Sequence, residues 1–71
     1  MVVKQGNTYW GHEGKREVRR RVDVIETRSS GTQYVRWTGI KKDGSEGKKA
    51  WTERRKFSEW AKGLYEEGVS P

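Results

Sequence analysis

Apolar positions alternate with polar ones through the first half of the chain and change to helical spacing near its end. In "EVRRRVDVIETR", Val18, Val22 and Val24 fall on even positions among charged neighbours. This pattern, rich in β-branched residues, predicts a long strand from about Val18 to Arg28. "TQYVRWTG" repeats the pattern with Val35 and Trp37 and predicts a strand from Thr32 to Thr38, joined to the first by a hairpin turn at "SSG". Upstream, "GNTYWGHEG" predicts a short aromatic strand, Thr8 to Trp10, with Gly11 and Gly14 bracketing a turn. "IKKDGSEGKK" is polar and carries an Asp43-Gly44 turn signal; it is expected to be the most flexible segment. "KAWTE" predicts a short strand presenting Trp51. In "TERRKFSEWAKG" the period changes: Phe57, Trp60 and Ala61 share one helical face, with Thr52 as N-cap, Glu53 in the first turn and Gly63 as C-cap. Leu64 and Tyr65 extend that contact past Gly63.

Register decides what the consecutive arginines Arg19, Arg20 and Arg21 face. A two-residue turn at Ser30-Gly31 sets Ser29 opposite Thr32, Val24 opposite Trp37 and Glu26 opposite Val35. One face then collects Val18, Val22, Val24, Val35 and Trp37, and the other Arg19, Arg21, Asp23, Ile25, Tyr34 and Arg36. A one-residue slip would put Val24 opposite Arg36 and mix the faces, which a strand with one buried face disfavours. Arg20 falls on the apolar side near the strand's start, where bending or fraying lets its head reach water.

Four strands with short connections and a terminal helix give a mainly β fold with a short C-terminal helix. The expected architecture is a four-stranded, strongly bent antiparallel sheet or a small barrel, since closure removes exposed edges. The strand order and turns over roughly residues 6–62 resemble SH3-like small barrels, the broad group that includes Tudor-type and KOW-type modules. The resemblance is at the level of fold, carries no diagnostic motif and implies no functional residue.

Composition narrows the class. The chain has 71 residues, which makes it a single domain spanning 1–71. Its ordered core is expected over about 6–64, with a mobile N-terminus and a mobile tail at 65–71. An apolar fraction of 30% would by itself read as disorder, but four tryptophans, three tyrosines and one phenylalanine argue for a small tryptophan-rich core. No cysteine is present, so disulfides are excluded, and a single histidine cannot complete a zinc site of nitrogen and sulfur ligands. No apolar run is long enough to cross a membrane and "MVVKQGN" has no signal-peptide core, so a soluble, cytoplasmic protein, monomeric by default, is expected.

Enzymatic readings find little support. His12 and Glu13 in "GHEG" are an acid–base pair only if buried and positioned, and a glycine-flanked turn offers neither. "DGSEGKK" lacks phosphate-loop spacing, with Lys49 where Ser or Thr is required. No catalytic residue, metal or cofactor is expected.

The net charge of +6 points instead to a polyanion. Basic residues form two clusters: Lys15, Arg16, Arg19, Arg20, Arg21 and Arg36 on the long hairpin, and Lys48, Lys49, Arg54, Arg55 and Lys56 from the last strand into the helix. Arg54, Arg55 and Lys56 oppose the positive end of the helix dipole, an arrangement that stability alone would not choose. The expectation is a small basic module that binds DNA or RNA through backbone phosphates and aromatic stacking. Its candidate contacts are Lys15, Arg16, Arg19, Arg21, Tyr34, Arg36, Lys48, Lys49, Arg54 and Arg55. The alternative is a protein-interaction module, an adaptor or inhibitor such as a compact phage genome encodes. It would be marked by Trp10 or Trp51 standing in solvent.

Overall fold

The computed structural model describes residues 2–66. Five strands, β1 (Thr8–Glu13), β2 (Arg16–Thr27), β3 (Gln33–Ile40), β4 (Glu46–Glu53) and β5 (Gly63–Tyr65), form one antiparallel sheet in the order β4-β3-β2-β1-β5. A single helix, α1 (Arg54–Trp60), follows β4 directly. The fold is thus mainly β with one short helix. It has five strands where four were expected, and the sheet is not closed, leaving β4 and β5 at its edges. The extra strand comes from Gly63, Leu64 and Tyr65. Instead of capping and extending the helix, they pair with Trp10, Tyr9 and Thr8.

The β2–β3 register differs from the expected one twice. The turn holds three residues, Ser29, Ser30 and Gly31: the Arg28 N–H donates to the Thr32 carbonyl at 3.0 Å, and Gly31 takes φ +86°. A three-residue hairpin needs a residue in the left-handed region at that position, which glycine adopts without strain. Val24 therefore lies opposite Arg36, and Ile25 opposite Val35. A β-bulge between Val22 and Val24 then adds one residue to β2, so that Val22 pairs with Trp37. Two one-residue shifts restore the original parity. Arg19 and Arg21 stay outside and Arg20 inside, as expected, but Val24 turns out to solvent and Ile25 packs against the core.

The core lies on one face of the sheet under α1. Tyr9, Val22, Val35, Trp37, Phe57 and Ala61 are buried there, and the Tyr9 and Phe57 rings meet edge to face at 5.9 Å. Val3 is also buried, although the N-terminus was expected to lie outside the ordered core. The Arg54 guanidinium holds that segment by donating to the Val3 carbonyl at 2.6 Å, and the Lys4 N–H donates to the Tyr9 hydroxyl at 2.8 Å. Of the tail, Tyr65 is in β5, and residues 67–71 lie outside the described residues. The helix begins after Glu53, which caps it without a side-chain hydrogen bond, and ends at Ala61. The expected caps Thr52 and Gly63 both belong to strands.

Arg20 sits in this core. Its guanidinium lies over Trp37 at 4.1 Å and over Trp60 at 4.2 Å, with its side chain only 13% exposed. The strand does not fray to release it, because two ring faces replace water as its surroundings. Trp60 reaches this position by crossing Gly11, which is buried within β1 and not part of a turn. A Cβ on Gly11 would stand 2.5 Å from the Trp60 ring. Trp60 Nε1 donates to the His12 carbonyl at 2.9 Å, and Trp37 Nε1 donates to Thr52 Oγ1 at 2.8 Å.

Two stability outcomes follow from this packing. Gly11→Ala overpacks the Trp60 contact and lowers stability by about 1–3 kcal/mol. Gly39→Ala is tolerated, since its Cβ would meet neighbours no nearer than 3.5 Å; urea midpoints of the two variants separate them. Arg20→Ala removes both ring contacts and costs about 2 kcal/mol, whereas Arg16→Ala, at a side chain 78% exposed, leaves the midpoint within error.

Candidate nucleic-acid interface

The basic residues do not merge into one patch. Sheet pleating divides them between two faces, and the ends of the strands divide them again. On the outer face, the bulge in β2 aims Asp23 sideways into an internal network. Arg21 donates to Asp23 at 2.8 Å and to Glu46 at 2.9 Å. Thr38 donates to Asp23 at 2.5 Å, and Lys49 donates to Thr38 at 3.1 Å and to Glu46 at 3.2 Å. Burial alone would raise the Asp23 carboxyl, but the Thr38 and Arg21 hydrogen bonds, helped by the charges of Arg21 and Lys49, hold it below its ordinary value. Arg21 hydrogen-bonding likewise lowers Glu46. Two cations meet two carboxylates here, so Arg21 and Lys49 carry no excess charge to a ligand.

Other outer-face candidates are tied to aromatic rings. Arg19 lies over Tyr65 at 4.4 Å and donates to its hydroxyl at 3.0 Å. Tyr34 has Arg28 over its ring at 4.1 Å, and the same guanidinium stands 5.4 Å from Trp51. Arg36, opposite Val24 and Trp51 in the ladder, forms no ion pair among the described residues. Trp51 is 44% exposed; Trp10 is half-buried over Gly63, whose Cβ would come within 2.9 Å of it.

Near the helix, Arg54 is occupied by the Val3 carbonyl and by Gln33 Oε1 at 2.8 Å, a structural role. Arg55 is exposed, 3.4 Å from Glu53. A depression of about 520 Å³ runs beside them, but Glu53 and Glu59 balance its two arginines.

The concentration of positive charge lies elsewhere, where the β1–β2 and β3–β4 hairpins extend past the end of the helix. Between them is an open groove of about 660 Å³ that continues the core face of the sheet. Arg20, Trp37 and Gly39 form part of its lining. Around it stand Arg16, Arg20, Lys41, Lys42 and Lys48 against Glu13, five cations to one carboxylate, while Arg19 and Glu17 border it from the opposite pleat of β2. Of the expected contacts, Arg16 and Lys48 reach this groove, and Arg19 borders it with its guanidinium on the outer face over Tyr65. Lys15 is exposed in the adjoining turn. Lys41, Lys42 and Arg20 complete the groove but were not among the expected contacts. The signal for the lysines was present in "KKDGSEGKK": a hairpin turn between two lysine pairs brings both pairs to one end of the ladder.

His12 and Glu13 are successive residues of β1 and so project to opposite faces of the sheet. Among the described residues, no three His, Cys, Asp or Glu side chains converge to hold a metal ion. No helix among them is long and apolar enough to cross a membrane.

The Asp23 network has a measurable pH signature. A carboxyl held below its ordinary value of 3.8 stabilises the fold above that value, and this contribution disappears as pH falls through the folded-state value. Asp23→Asn therefore lowers stability at neutral pH and flattens the loss of stability below about pH 4. Urea midpoints between neutral pH and strongly acid solution check this, and parallel curves for the two proteins contradict it.

Comparison of the chain with protein-family models, with curated proteins and with solved structures finds no match.

Proposed function

We propose that this protein is a small basic binding module that holds nucleic acid by its phosphate backbone in the groove between the two hairpin tips. The observation that carries the reading is the charge around that groove, five cations against one carboxylate on the core face, in a chain whose net charge is +6. Phosphate neutralisation with counterion release supplies affinity without base recognition. A groove lined by long lysines on hairpins and by arginines on a strand suits a flexible backbone. Base stacking has little to work with in the groove, because Trp37 is 4% exposed and lies under Arg20. The more accessible rings, Tyr34 and Trp51, lie on the outer face beside Arg28 and Arg36.

One observation favours a protein-interaction reading. Trp51 and Val24, 44% and 37% exposed, flank Arg36 on the outer face, a combination common at interface hot spots. Because that face is opposite the groove wall, the two readings separate by mutation.

Fluorescence anisotropy with labelled single- and double-stranded DNA and RNA tests the proposal. At low salt the expected Kd is in the micromolar range, weakening steeply as salt rises. Replacing Lys41, Lys42 and Lys48 by glutamate reduces affinity by roughly tenfold or more, while Trp51→Ala leaves it unchanged. Absence of binding at tens of micromolar protein overturns the nucleic-acid reading.

A further inference from the structure

Arg20 differs from every other cation at the groove. Its guanidinium carbon lies against two indole rings, 4.1 Å from the Trp37 centroid and 4.2 Å from the Trp60 centroid. Its N–H donors, one of which already reaches Glu13, match a planar or tetrahedral oxyanion. Its side chain is 13% exposed, so the fork is held in place before any ligand arrives. The Glu13 Oε2 accepts from Arg20 Nη2 at 3.0 Å. The same carboxylate is 3.9 Å from Arg16 and 3.9 Å from Lys48, cations from two different hairpins. Glu13 is itself 46% exposed. One accessible carboxylate is thus surrounded by three cations, one of them immobilised.

We infer that the edge of Arg20, with Arg16 and Lys48, is a subsite for one phosphodiester of the bound strand, and that Glu13 is an internal anion occupying it until that phosphate displaces it. The inference rests on the groove's nucleic-acid reading and adds to it a residue that opposes binding. The carboxylate keeps three like charges from repelling one another in the free protein. It also lowers affinity, because a phosphate must compete with it for the Arg20 fork. Glu17 is the natural comparison: it is exposed, carries the same charge and borders the groove from the opposite pleat of β2, but it makes no ion pair among the described residues.

The experiment compares wild type, Glu13→Gln, Glu17→Gln and the double variant Glu13→Gln with Arg20→Lys. The probe is a fluorescein-labelled oligothymidylate of roughly 15 nucleotides, titrated across a salt series. Glu13→Gln is expected to tighten binding roughly tenfold at about 20 mM salt and to steepen the slope of log K against log salt by about 0.7, one additional phosphate contact. Glu17→Gln raises affinity slightly without changing the slope. The double variant keeps the charge at position 20 but loses the fork, so its slope returns to that of wild type. Equal effects of Glu13→Gln and Glu17→Gln on affinity and slope overturn the inference while leaving the groove reading intact. Binding by none of the proteins overturns both.

Discussion

The arrangement of this molecule depends on one guanidinium held against two indole rings. A chain with an apolar fraction of 30% has few aliphatic side chains to fill a core. It makes up the shortage with large rings and with the one arginine whose register turns it inward. Arg20 joins β2 to Trp37 on β3 and to Trp60 at the end of α1, so a single side chain links the centre of the sheet to the helix that covers it. Each indole is fixed in turn by its N–H, to Thr52 and to the His12 carbonyl. Gly11 gives Trp60 room to cross β1. Burying a charge in this way is tolerable because the ring faces solvate the cation and Glu13 accepts from its edge.

The same contact defines where the core ends and the groove begins. On the helix side of the stack, side chains from both layers meet and water is excluded. On the other side α1 has ended, the two hairpins continue, and the lining passes from rings to Gly39 and lysines. Arg20 belongs to both regions, with its ring contacts in the core and its Glu13 contact in the groove. The ring contacts and the Glu13 hydrogen bond therefore act on different atoms of one group.

Much of this was legible in the sequence, and what was not has specific causes. Alternation in β2 and β3, and helical spacing of Phe57, Trp60 and Ala61, identify the main elements and the covered face. The separation of Arg20 from Arg19 and Arg21 also emerges, but from a register that is wrong by one residue at the turn and again at the bulge. Parity protects the conclusion about the arginines and not the one about Val24 and Ile25. "SSG" has a glycine in the third turn position, a cue for the three-residue hairpin. The bulge at Asp23 has no comparable local cue, because it answers a tertiary demand, the network with Thr38 and Arg21. β5 is three residues whose pairing places Gly63 under Trp10, and Gly11 reads as a turn until the ring that needs its missing side chain is located. The basic clusters were legible as composition but not as surface, since pairing with Asp23, Glu46 and the Val3 carbonyl depends on contacts distant in sequence.

That distribution of pairing bears on what the charge is for. On the outer face the chain neutralises two of its cations: Arg21 and Lys49 meet Asp23 and Glu46 within hydrogen-bonding distance, and the resulting network is locally neutral. At the hairpin tips it does the opposite. Lys41 and Lys42 form no ion pair among the described residues, although the intervening loop contains Asp43, whose carboxylate instead accepts from the Ser45 N–H and hydroxyl in the turn. Clustered like charge destabilises a small fold, and solubility needs only dispersed charge. Lys41 and Lys42 thus stay without an ion-paired carboxylate among the described residues, and the one carboxylate among those residues that approaches Arg20, Arg16 and Lys48 together is the exposed Glu13.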